Sequence, residues 1–464
     1  MDKIDCDMSF TMPFRRSSSE RTVKDALLSE YGRLSAAPSP VNRMMAAFAA
    51  DFRDGYDINL GVGYVNEGTI PDRGVLEAIE YVLAHPERHR LALNYGGPKG
   101  SQNLIDSIRA FYVRDRIGGL DEATLARQEI LIGPSGATSI LDGLSDVLKP
   151  GIVLTSDPMY YIYCNALERK GFEVVTVPED DDGIDTDALE NTIRALGSRR
   201  EHLAFVYVVT VGNPTSTILS NKRREKLVET VSDLSGKLGR KVPLVFDQAY
   251  EFLIHDPQAE TPQSALRYDT CGIVHEVGTL SKILAPALRI GYLIGPDSPT
   301  VKALVQRTSD VGFSAPLITQ EVASYLLDHH IAEQRVRVNR GYREKAVRAG
   351  RWIRERLGPV LAGYSGGRAG FYFYLTFQKI HTVEQSPFFH YLARTTGDAR
   401  IDGPPGNKNP RVVYVPGQFC VHPRGTMAEL GKRQLRLSYG YEELERIENA
   451  LSLMAEAAVY AEAH

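Results

Sequence analysis

The stretch "GTLSKILAPALRIGYLIGP", residues 278–296, sets the reading of this chain. Its second half, "RIGYLIG" (289–295), reads as a short apolar strand, and "GIVHEVGTL" (272–280) reads as another just before it. Between them stand Lys282 and Arg289, seven residues apart, with Thr279 and Ser281 close to the lysine. Polar groups at the ends of buried strands need partners. The stretch therefore predicts a sheet edge that faces a ligand.

Working outward, the same alternation continues in both directions. "EILIG" (129–133), "GIVLTSD" (151–157), "FEVVTVP" (172–178), "LAFVYVV" (203–209) and "VPLVFD" (242–247) read as strands. Helical segments separate most of them; in "ATSILDGLSDVLK" the residues Ile140, Leu141, Leu144, Val147 and Leu148 share one face. Strands alternating with helices predict an α/β fold with a mostly parallel sheet covered on both sides. Ligands of such sheets sit at the strand carboxyl ends. From about residue 319 one long charged helix is expected to leave this domain. "FYFYLTF", "RVVYVPG", "QLRLSYG" and a terminal helix then predict a smaller α+β domain. The expected division is an N-terminal arm belonging to the small domain (1–57), a large domain (58–325), and a connecting helix with the small domain (326–464). Within the arm, the serines of "SSSERTVKDALLSEYGRL" predict one capped helix and "SAAPSP" (35–40) a loop. "GDARIDGPPGNKNP" (397–410) also reads as a loop.

Bulk properties narrow the function classes. The 464 residues are 43% hydrophobic and 24% charged, as expected of a soluble protein of more than one core. A net charge of −4 gives no electrostatic reason to expect nucleic acid. No apolar run approaches membrane-spanning length. The opening "MDKIDCDMSF" lacks the pattern of a secretory signal, so a cytoplasmic location is expected. Cys6, Cys164, Cys271 and Cys420 lie far apart, without metal-ligand spacing, and read as reduced thiols; no metal is expected. The "DHH" at 328–330 and the "EDDD" at 179–182 read as solvated.

The chemistry-bearing residues stand at the strand ends. Asp247 ends "VPLVFD", with Tyr250 three residues on; Asn213 in "GNPTS" follows "LAFVYVV"; Tyr160 follows "GIVLTSD". Ser135, Gly136 and Ala137 sit at the mouth of a helix, where free N–H groups and the helix dipole attract a phosphate. Ser135, Thr279, Ser281 and the forked donor Arg289 would complete that cup. A buried aspartate keeps a ring nitrogen protonated, a tyrosine and an asparagine donate to a phenolate, an aromatic face stacks on a ring, and a lysine forms a Schiff base with an aldehyde. One molecule carries all of those groups: pyridoxal 5′-phosphate.

At this point the chain resembles fold type I pyridoxal-phosphate enzymes of the aminotransferase class I/II family. The resemblance runs from about 58 to 460 through "NYGGPKG", "GPSGATSILDGLSDVLKPG", "DPMYY", "GNPTS", "FDQAYEFL", "SKILAPALRIGY", "AGFYFYL", "VPGQF" and "LRLSYG". The seven-residue spacing from Lys282 to Arg289 is similar to the branch of α-aminoadipate and kynurenine aminotransferases and the aminotransferase-like part of MocR regulators. The resemblance implies a seven-stranded sheet and an aminotransferase acting on an α-amino acid and a 2-oxo acid. It implies that Lys282 carries the cofactor and shuttles the proton, Asp247 pairs with the ring nitrogen, Tyr250 and Asn213 hold the phenolate oxygen, and Tyr160 stacks on the ring. Ser135, Gly136, Ala137, Thr279, Ser281 and Arg289 would hold the phosphate. Tyr95 would reach the phosphate of a neighbouring subunit, implying a homodimer. Arg436 would grip the substrate α-carboxylate, with Asn213 beside it and Gly63 lining the entrance.

Three departures stand out. The family's "NPTG" is here "NPTS", with Ser216 in the glycine's place; "SQNLIDS" lacks the arginine usual after "YGGPKG"; and Ala137 offers the phosphate only its backbone. An elimination or replacement enzyme using the same cofactor is the alternative reading. A ligand-sensing regulator is a third, for which the first 57 residues show no DNA-binding pattern. "AGFYFYL" and "VPGQF" read as mainly structural.

Overall fold

A computed structural model describes residues 26–464. In chain order its strands are β1 (Ile58–Asn59), β2 (Gln128–Ile132), β3 (Ile152–Asp157), β4 (Glu173–Asp180), β5 (Gly183–Ile184), β6 (Leu203–Val209), β7 (Leu244–Asp247), β8 (Val274–Thr279), β9 (Gly291–Pro296), β10 (Leu361–Gly366), β11 (Tyr372–Phe377), β12 (Val412–Val413), β13 (Val415–Pro416) and β14 (Gln434–Ser438). Strand β6 shows why such segments fold as they do. Phe205 and Tyr207 pack into the apolar layer on one side of the sheet, Val206 and Val208 into the layer on the other. Side chains alternate with period two, so a strand covered on both faces reads as one unbroken apolar run.

The large sheet runs β2–β9–β8–β7–β6–β3–β4–β5. Neighbours are parallel except that β9 opposes both β8 and β2, and β5 opposes β4. This is the mostly parallel sheet between helices that the alternation predicts. It has one strand more than the seven expected, because β4 extends through Asp180 and turns at Gly183 (φ +93) into the two-residue β5. The reading of "EDDD" as a solvated loop holds for the exposed turn at Asp181 and Asp182 and needs correction at Glu179 and Asp180, which belong to β4. Glu179 lies in β4 with a buried, unpartnered Oε1, and burial pushes its carboxyl up to about 7.

Two further expectations need correction. The single long helix from 319 is two helices, Leu317–His329 and Ile331–Arg356, because His330 leaves helical geometry (φ −123, ψ −14). At this break the Tyr325 ring packs against both His329 and His330. The end of "SAAPSP" is not loop: Pro40 opens the helix Pro40–Ala49, with Ser39 as its side-chain cap. Proline suits a first helical turn, where its missing N–H costs nothing. Within the stretch predicted as an arm helix, the helix is confined to Glu30–Ser35 and is capped by Ser29 rather than by the leading serines; 26–29 are not helical, and 17–25 lie outside the described residues. The loop at 397–410 contains only the short helix Ala399–Asp402.

The C-terminal part forms an antiparallel sheet, β10–β11–β14–β13, with the helix Leu444–Ala463 packed against Ile331–Arg356. Strand β1 pairs with β12, and beside it Arg53 and Arg411 both bond the buried Asp57 carboxylate, at 2.6 and 2.8 Å. Burial alone would raise the Asp57 carboxyl; the hydrogen bonds from Arg53 and Arg411 outweigh it and hold it below the ordinary range.

A second buried acid, Glu276 in β8, lacks such cations. Its Oε1 accepts from Ser264 Oγ and the Ala265 N–H, both at 2.8 Å, while Oε2 has no partner. Burial, reinforced by the charge of Glu251, pushes it from 4.5 up to about 7. Between those values the folded chain binds a proton that the unfolded chain releases, so this group lowers stability as pH rises through the window. Glu276→Gln removes that dependence. Relative to wild type, the variant should gain up to roughly 3 kcal/mol at pH 8 and nothing near pH 4.5. Urea denaturation at the two pH values measures this; an equal effect at both would contradict it.

Candidate active site

The parallel strands β3, β6, β7 and β8 all end on one edge of the sheet, and the antiparallel β9 begins there. That edge forms a cavity lined by Gly136, Ala137, Thr138, Tyr160, Asn213, Asp247, Tyr250, Thr279, Ser281, Lys282 and Arg289, among others. Ser135 joins it through Arg289, whose Nε donates to Ser135 Oγ and whose Nη2 donates to the Ser135 carbonyl, both at 3.1 Å. The Gly63 carbonyl accepts from Lys282 Nζ at 3.0 Å, and Asn213 Oδ1 accepts from Arg436 Nη1 at 2.7 Å. Of the residues singled out in the sequence, Tyr95 alone stands apart. It is 81% exposed and lines a separate surface hollow with Leu93 and Phe313.

The phosphate-sized corner is built from backbone. The helix Gly136–Val147 begins there with no side chain capping its free N–H groups. Gly136 is left-handed (φ +66), and a Cβ on it would stand 2.8 Å from Arg289 Nη2. A Cβ on Gly291 would stand 2.2 Å from the Ala137 nitrogen. Glycine is thus required at both positions for the β9 backbone and the Arg289 head to approach the helix mouth. Thr279 Oγ1 donates to the Ile290 carbonyl at 2.6 Å and lies 2.9 Å from Ser281 Oγ. Thr138 adds a hydroxyl to the lining beside Ala137, a residue the motif reading passes over.

Asp247 lies at the cavity floor. Burial raises its carboxyl, while Tyr207 Oη donates to Oδ2 at 2.7 Å and the Ala249 N–H donates to Oδ1 at 3.0 Å. Tyr207 is a second missed residue; its only signal is a polar tip inside an otherwise apolar strand. Above the floor, Lys282 Nζ stands 5.4 Å from the ring centres of both Tyr250 and Phe371. Burial first, then the charges of Arg436 and Arg289, pull its amine from 10.5 down to about 8. Arg436 gives Nη2 to the Gly61 carbonyl at 2.6 Å, and its buried Nε has no partner among the described residues. The third missed residue is Tyr372 in β11. Its hydroxyl is 2.8 Å from that of Tyr250, and its ring lies 4.4 Å beneath the Arg436 guanidinium.

An uncapped helix mouth cradled by two obligatory glycines and an arginine, a buried carboxyl, and a half-buried amine of lowered pKa fit pyridoxal 5′-phosphate group by group. Fold and donor set thus define a pyridoxal-phosphate-dependent transferase. The chain belongs to the family described as Aminotransferase class I and II, whose sequence profile matches residues 57–381. Among curated proteins it is 26% identical over 406 residues to an uncharacterized HTH-type transcriptional regulator, YisV, of Bacillus subtilis, covering 86% of this chain and 73% of the regulator. It is 29% identical over 282 residues to a 2-aminoadipate transaminase of Thermus thermophilus, covering 60% of this chain and 64% of that protein. The fold is that of the multiple substrate aminotransferase from Thermococcus profundus, with a TM-score of 0.76 at 22% identity over 93% of this chain and 96% of that one.

The state of Lys282 is directly measurable. In cofactor-free protein, its modification by cyanate, followed by peptide mass, should rise with a pH midpoint near 8. A midpoint close to the ordinary 10.5 would show that burial does not govern this amine.

Proposed function

We propose that this protein moves the amino group of an α-amino acid to a 2-oxo acid, with Lys282 as the residue that carries pyridoxal phosphate and moves the proton. Bound cofactor supplies the aldehyde that receives the amino group and the ring that draws electrons away from Cα. The observation that carries the reading is the half-buried Lys282, its amine lowered to about 8, in one cavity with Asp247 and the uncapped helix mouth. An amine of that kind can give up its proton near neutrality and act as base and acid in turn. Asp247, bonded by Tyr207, would hold a proton on a ring nitrogen; Tyr250 and Asn213 would donate to the ring's oxygen; Tyr160 would cover the ring face. Ser135, Gly136, Ala137, Thr279, Ser281 and Arg289 would hold the phosphate, with Thr138 beside them. Arg436, whose Nε is unspent, would take the substrate carboxylate, and Gly63 would leave room for its entry.

Elimination or replacement would begin with the same Cα proton loss, and the family does not favour it. The site as described recognises an α-carboxylate and leaves the choice of side chain to residues around the entrance. The exposed Tyr95, with Leu91, Leu93 and Val311 exposed near it, supports a homodimer in which Tyr95 completes the neighbouring phosphate cup. No helix among the described residues is long and apolar enough to cross a membrane; a cytoplasmic location remains part of this proposal.

Mixing the loaded protein with an amino donor alone should convert the cofactor to its amine form in a 1:1 ratio. Borohydride reduction should leave a pyridoxyl mass on the Lys282 peptide. Lys282→Ala should abolish conversion, and Asp247→Asn should slow it by several orders of magnitude, since preorganised electrostatic contacts of this type are each worth roughly 2.7–4 kcal/mol. Release of ammonia with no amine-form cofactor would assign the elimination reading instead.

A further inference from the structure

We propose that Tyr372 is a positioning residue of this site: its hydroxyl donates to Tyr250 and fixes the direction of that residue's proton, and its ring face orients Arg436. The inference rests on the roles proposed for Lys282 and Tyr250. It starts from proton counting. The two phenols are 2.8 Å apart, and in isolation either could be the donor. Each has one proton. If Tyr250 spends its proton on a cofactor oxygen, only Tyr372 can fill the bond between the two phenols. Tyr372 is 1% exposed, and its partner is the Tyr250 oxygen. Hydrogen bonds in such a chain strengthen one another, so Tyr250 becomes the better donor.

The rest of Tyr372 is held for the task. Its backbone N–H donates to Ser216 Oγ at 3.3 Å, so the serine that replaces the family's glycine ties the turn after β6 to β11. Ser216 takes a left-handed conformation (φ +52) to do so, facing Gly370, where a Cβ would stand 2.9 Å from Ser216 Oγ. On the other side, the Tyr372 hydroxyl occupies the space beside Gly63: a Cβ there would stand 2.6 Å from Tyr372 Oη, and its next neighbours would be 3.8 Å and 3.9 Å away. Gly63 is therefore matched to this hydroxyl. The ionisable groups facing the two phenols include Arg436 from β14, Tyr160 and Tyr161 after β3, Tyr342 from the helix Ile331–Arg356, Lys282 after β8 and Cys420. Tyr372→Phe leaves all of them in place.

The test uses the loaded protein and the pH midpoint of the cofactor's visible absorbance. Tyr372→Phe should raise that midpoint by about half to one pH unit, as loss of one donor behind the phenolate requires. Tyr250→Phe should raise it further, and adding Tyr372→Phe to Tyr250→Phe should change nothing more. Tyr372→Leu, which also removes the ring under Arg436, should weaken binding of an α-methyl amino acid about tenfold. Gly63→Ala should cost at least tenfold in cofactor affinity, and Gly63→Ala with Tyr372→Phe should restore it to within about threefold. An unmoved midpoint in Tyr372→Phe, the same shift in the Tyr250→Phe background, or no restoration of Gly63→Ala would overturn the inference even if Tyr372→Leu proves too unstable to assay. A wild-type protein whose visible band does not respond to pH would instead sink the reading of Lys282 on which it rests.

Discussion

Asp247 is buried and Lys282 half-buried in the same cavity, and each satisfies its hydrogen bonding elsewhere than on the other. The carboxyl is bonded to Tyr207 and a backbone N–H, the amine to the Gly63 carbonyl. Had they met, each charge would have held the other group in its charged form. Keeping them apart depends on the sheet. They follow adjacent parallel strands in which Asp247 is in register with Val277, so the carboxyl stops at the floor while the lysine continues five residues past its neighbour strand's matching position. Burial then acts on the two in opposite senses, raising the acid and lowering the amine. The ligand-binding edge is the place where those two tendencies coexist.

Two sheets contribute to that edge. The large one supplies the strand ends; the small one supplies Arg436 and Tyr372 from neighbouring strands β14 and β11, side by side on one face. Their junction is a set of specific bonds: Arg436 to Asn213, Tyr372 to Tyr250, and Ser216 to the Tyr372 backbone. A left-handed serine costs about 1 kcal/mol relative to glycine, and here it gains a contact that glycine cannot make.

The strand ends were legible in the sequence because their polar residues interrupt apolar runs at points where a parallel sheet must place them together. Lys282, Asp247, Asn213 and the "GPSGAT" turn all fall in one cavity for that reason. What was not legible depends on distance along the chain. Tyr207 and Tyr372 look like ordinary members of apolar strands; their hydroxyls acquire meaning only when Asp247, 40 residues on, and Tyr250, 122 residues back, arrive beside them. Glu179 was misread because a run of four acids suggests solvent, whereas strand alternation turns its side chain inward. The break at His330 was missed because both flanking segments are good helices, and only packing against Tyr325 distinguishes the residue between them.

The seven-residue gap between Lys282 and Arg289 is a consequence of β9 running backwards. Because β9 opposes β8, the chain leaves and re-enters the sheet on the same edge, and the ladder closes at Thr279 opposite Gly291. The connecting segment is therefore a caliper of set span, with the amine near one tip and the guanidinium near the other. Its second tip is locked by Arg289 in the left-handed conformation and by the Gly136 N–H on the Arg289 carbonyl. An insertion or deletion between Lys282 and Arg289 would shift the amine and the guanidinium relative to one another, a displacement that a surface turn elsewhere on this molecule would absorb.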